Sequence, residues 1–114
     1  MKVIHVVGPD FRLLDMQVGL DDEAAIKLLA SAYAAVLTEF AKSKLLHLRL
    51  LPISSSIFAG EFQCRMPILT FRAFLDAFDM LASDVADVIL APAVSLEMCI
   101  FEEQELSQYL EALK

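Results

Sequence analysis

Short apolar runs alternate with long segments of helical periodicity, and this alternation constrains the fold of the chain more than any other feature. Residues 2–7 are rich in β-branched side chains (Val3, Ile4, Val6, Val7) and stop at Gly8-Pro9, as a buried strand does. Asp21-Asp22-Glu23 then open a helix, with a carboxylate to cap free N–H groups and acids at the positive end of the dipole. Ile26, Leu29, Tyr33, Val36 and Phe40 recur on one face, and Leu37 widens the stripe. Residues 45–51 form a second strand, leading into Pro52. A second helix is predicted from Thr70 as N-cap, with Phe71, Phe74, Leu75, Phe78 and Leu81 inward and an Arg72–Asp76 pair on the wet face. Residues 84–92 read as strand or helix. A final helix is predicted over 103–113.

Strand, helix, strand, helix, strand, helix implies βαβ units. The expected fold is α/β: a small, mostly parallel three-stranded sheet in order 1-2-3 with alternating helices. All 114 residues are expected to form one domain. On alternate strand positions His5, His47, Arg49 and Glu97 share one face. Ile4, Val6, Leu46, Leu48, Leu50, Leu96, Met98 and Ile100 share the other. A parallel sheet usually has both faces covered by apolar layers. The polar face therefore reads either as locally satisfied strand ends or as a face completed by another chain. His47 and Arg49 are the pair that could grip an anion.

Composition narrows the function classes. The chain carries 16 acidic and 9 basic residues, a net charge of -7 without any Lys/Arg cluster, which argues against nucleic acid as a partner. Hydrophobic residues make up 58% of it, and mean hydropathy is +0.61. That surplus reads as a helix-rich core, as a large share of alanines, or as an apolar surface that meets another chain. A homo-oligomer or a missing partner chain is the expectation. No uninterrupted apolar run reaches the roughly 18 residues of a membrane span, so no membrane association is expected. Cys64 and Cys99 stand far apart without metal-ligand spacing, which fits a reducing compartment and argues against zinc. Glu102, Glu103 and Glu105 are accounted for by the first turn of a helix, so no metal site and no cofactor are expected. The expected location is cytoplasmic or nuclear. No Ser-His-Asp order and no P-loop occurs, so no catalytic residue is assigned.

The segment after the second strand carries the chemistry. Ser54-Ser55-Ser56-Ile57-Phe58-Ala59-Gly60 is a small-residue loop whose amides are accessible to an anion. It resembles the diphosphate-binding loop of macro domains, which reads roughly Ser-Ser/Thr-Gly-Ile-Tyr/Phe-Gly. Val3-Ile4-His5-Val6-Val7-Gly8-Pro9 is similar to that family's Val-Ile-His-x-Val-Gly-Pro strand. The resemblance spans nearly all of this chain and about the C-terminal half of a macro domain. It implies a last strand at 96–101, which leaves 84–91 as a short helical or irregular piece. The family's Asn-Ala-Ala-Asn element and first Gly-rich loop have no counterpart here.

The resemblance implies ADP-ribose or a related nucleotide diphosphate as ligand. It places Ser54, Ser55 and Ser56 on the phosphates, Ile57 and Phe58 beside the ribose or diphosphate, and Phe101 against the adenine. Where the family has glycines this chain has Ser56 and Ala59, and their β-carbons hinder positive φ and close backbone approach. ADP-ribosyl hydrolysis, which uses the elements without counterpart, is therefore not expected. The leading expectation is a non-catalytic or degenerate binding module. The alternatives are a self-association module that has lost the ligand, or a fragment of a longer protein in which Met1 is internal.

Overall fold

The computed structural model describes residue 4 and residues 8–9, 21–53, 65–99 and 110–111. The expected first strand, the serine segment, Phe101 and most of the expected last helix lie outside the described residues. Ile4 packs against the core, half-buried.

Helix α1 spans Asp22–Ser43, where the Asp-Asp-Glu opening and the apolar stripe place it. The Asp21 carboxylate accepts the Ala24 N–H at 2.8 Å, satisfying one of the free donors of the first turn. The helix ends at Lys44, a non-glycine residue in the left-handed region at φ 62°. Ser43 braces this turn, its hydroxyl donating to the Phe40 carbonyl and accepting the Leu45 N–H. By length and composition α1 is apolar enough to cross a membrane. Its stripe is buried within the protein core, from Ala25 and Ile26 through Leu29, Tyr33 and Leu37 to Phe40.

Helix α2 spans Met66–Met80 and begins four residues before the expected cap. Pro67 sits in its first turn, where a missing N–H costs nothing and a fixed φ suits the helix. Thr70 is consequently an interior residue, 2% exposed, and its hydroxyl has no hydrogen-bond partner.

The early start also rotates the buried face. Met66, Leu69, Thr70, Ala73 and Ala77 face the core, while Phe71, Phe74, Phe78 and Leu81 are half-buried and Leu75 is 54% exposed. Alanines let the two helix backbones approach, and the phenylalanines fill the flank. Tyr33 and Phe74 meet edge to face at 5.4 Å, as do Phe74 and Phe78 at 5.5 Å. Arg72 pairs not with Asp76 but across the helices with Glu23 at 2.9 Å, and Arg65 reaches Asp22 at 3.0 Å. Both guanidinium groups thus meet acids in the first turn of α1.

Helix α3, Ser83–Ile89, occupies the segment read as a short helical piece and buries Ile89. Strands β1 (His47–Leu50) and β2 (Ser95–Met98) pair in parallel, with His47 opposite Ser95 and Leu50 opposite Met98. The ladder extends one bond beyond each end: Ser95 N–H donates to the Leu46 carbonyl and Cys99 N–H to that of Leu50, both at 2.7 Å. The α/β class and the parallel pairing follow the expectation, with two strands among the described residues rather than three. Leu48, Leu50, Leu96 and Met98 pack onto the core. Leu46, expected beside them, sits in a bend before the strand and is exposed.

Candidate functional site

Because β1 and β2 are parallel and in register, their carboxyl ends lie side by side at Leu50 and Met98. Open α/β sheets place ligands beyond this end of their strands. The chain leaves β1 through Leu51, Pro52 and Ile53 into the serine segment, and it leaves β2 through Cys99, two residues before Phe101. Ser54, Ser55, Ser56, Ile57, Phe58 and Phe101 lie outside the described residues, and the described chain ends short of them on both strands.

The approach to the serine segment is fixed. Ile53 is buried, and its N–H donates to the Tyr33 hydroxyl at 2.8 Å. Tyr33 itself is fully buried in α1 and wedged edge-on against Phe74 of α2. The last described residue before the serines is therefore tied to both long helices. Sequence reasoning counted Tyr33 only as one member of an apolar stripe. The available signal was its hydroxyl: a phenol among aliphatic neighbours has to find a partner once buried.

The outward face of the sheet carries the second cluster. Glu97 Oε2 lies 3.2 Å from both Arg49 Nε and His47 Nε2. An ionised carboxylate only accepts, so His47 donates from Nε2 in this contact. The guanidinium of Arg49, then the imidazole of His47, hold the Glu97 carboxyl below the usual carboxylate range, and the same bond raises Arg49. The side chains of His47, Arg49 and Glu97 are 54%, 68% and 44% exposed, so water screens the cluster. The three residues share a face as the alternation requires, but Glu97 already occupies the position an anion would take. His47 and Arg49 are consequently not an anion grip.

Cys99 is a half-buried free thiol. Among the described residues no group of three or more His, Cys, Asp or Glu side chains is placed to hold a metal ion. A shallow, open depression of about 340 Å³ lies on the helical layer, lined by Lys27, Ala30, Ser31, Asp76 and Met80, and involves neither strand. Comparison with protein-family models, with curated proteins and with solved structures returns no match.

Proposed function

We propose that this chain is a non-catalytic binding module for ADP-ribose or a related nucleotide diphosphate. In this reading Ser54, Ser55 and Ser56 contact phosphate, Ile57 and Phe58 pack beside it, and Phe101 stacks on the base. The observation that supports it is the register of the parallel pair. With Leu50 beside Met98, the serine segment and the segment bearing Phe101 depart from the same end of the sheet. The bond from Ile53 to Tyr33 also fixes the backbone position from which the serine segment departs.

Ser56 and Ala59 limit the approach of the backbone to phosphate, so affinity is expected nearer 1 mM than 1 μM, on the order of -4 rather than -8 kcal/mol. NMR titration with ADP-ribose tests this directly. Ser56→Gly tightens binding by freeing the backbone, and Ser56→Glu abolishes it by repelling the phosphates. Loop amides that stay unshifted at several millimolar ADP-ribose refute the reading.

A second reading, self-association, draws on the outward sheet face. His47, Arg49 and Glu97 remain exposed there, on a type of sheet that ordinarily has both faces covered.

A further inference from the structure

The charge pattern of the outward sheet face distinguishes among the ways a second copy could sit on it. Two sheets stacked face to face about a two-fold axis have two simple arrangements. With the axis across the strands, β1 lies over β1 of the other copy, antiparallel. Arg49 then faces His47 of the other copy rather than a carboxylate, and β2 lies over β2, so Glu97 meets no cation of the other copy. With the axis along the strands, β1 of each copy lies over β2 of the other, and each residue meets the counterpart of its own register partner.

That register pairs Arg49 with Glu97 and His47 with Ser95. Each Arg49 then faces Glu97 of the second copy, each His47 faces a neutral serine, and no like charges meet. Stacked sheets lie about 10 Å apart, within reach of an arginine and a glutamate extended toward one another. Leu45 and Leu51, exposed on either side of β1 at positions of the same parity as His47 and Arg49, add apolar area to the rim.

We infer that the outward face of the β1–β2 pair is a self-complementary docking surface for a second copy of this chain, with the two-fold axis along the strands and two Arg49–Glu97 pairs exchanged across it. The inference rests on the self-association reading and is independent of ligand binding, since the serine segment lies beyond the strand ends. Two four-residue strands span roughly 10 by 13 Å, less than a stable interface of about 1,200–2,000 Å² needs, so the pair dissociates readily. The net charge of -7 on each copy also opposes it.

The test is sedimentation equilibrium of the full chain at about 0.15 M salt, from micromolar to near-millimolar concentration. Wild type is expected to show a monomer–dimer equilibrium. Arg49→Glu makes both positions acidic and Glu97→Arg makes both basic, so each variant alone associates about tenfold more weakly or not at all. An equimolar mixture of the two restores association, because each supplies the sign the other lacks.

Circular dichroism verifies folding, and the milder Arg49→Ala, expected to weaken association, replaces either reversal that disturbs the strand pair. A dimer that both reversals leave intact, or a mixture that fails to restore association, overturns the inference and leaves self-association standing by another surface. Wild type that stays monomeric throughout overturns both. Neither result bears on ADP-ribose binding.

Discussion

Where α1 meets α2, Ala25, Ala30, Ala73 and Ala77 are almost completely buried, whereas the outward side chains of the sheet stay close to half exposed or more. The helical layer closes because small residues bring two backbones together and aromatic rings fill the flank. The sheet closes on one side only: Leu48, Leu50, Leu96 and Met98 reach the core, and the opposite positions are polar. Tight packing and exposed polar side chains thus fall to different parts of the molecule. Tyr33 joins the two, since it belongs to the helical core and holds the backbone that leaves β1.

The largest expected effect falls on the closed side. Leu29→Ala, at a fully buried position, should cost about 2–5 kcal/mol in denaturant unfolding, while Leu96→Ala, half-buried on the sheet, should cost about 1–2 kcal/mol. Equal costs would erase the distinction between the layers. Tyr33→Phe strikes the junction and leaves the buried Ile53 N–H without its acceptor, a loss of about 1–3 kcal/mol. Hydrogen exchange at the Ile53 amide should accelerate in that variant. Unchanged protection would show that the serine segment is not anchored from the helices.

Thr70→Val sharpens the account of the helix interface. It replaces a buried hydroxyl without a partner by a methyl group of similar volume, and a gain of about 1 kcal/mol in thermal unfolding is expected. A loss would mean that the hydroxyl is bonded in solution. The smallest effect belongs to the open face. Glu97 is held below the ordinary carboxylate range in the folded protein, chiefly by its hydrogen bond from Arg49. Its contribution is complete above the unfolded carboxylate value and is lost as pH falls through the depressed folded value. An NMR titration of the Glu97 carboxyl should show the depression, and Arg49→Ala should remove most of it. An ordinary titration in wild type would break the Arg49–Glu97 bond as described.

Several elements were legible in the chain itself. Asp21 in the cap and the stripe from Ile26 to Phe40 follow from signals within a few residues. Residues 84–91, by contrast, read equally as strand or helix from their own sequence, and the strand near Leu96 is placed by the family resemblance. The placement of His47, Arg49 and Glu97 on one face follows from strand alternation alone. Errors arose where two local signals competed. Thr70 is a good cap residue and its neighbourhood is rich in phenylalanine, yet Pro67 opened the helix earlier and the alanine face packed inward.

Sequence periodicity therefore determined that α1 is a helix with its stripe inward and which side of β1 and β2 is polar, because these properties depend on neighbours along the chain. Only the tertiary structure decided which face of α2 is buried, since that depends on how near α1 can come and alanine allows the closest approach. It also decided that Arg72 pairs with Glu23 rather than Asp76, that Tyr33 holds Ile53, and that Glu97 fills the space between His47 and Arg49. Each of these joins residues far apart in the chain, and no local pattern specifies a partner that folding alone brings within hydrogen-bond distance.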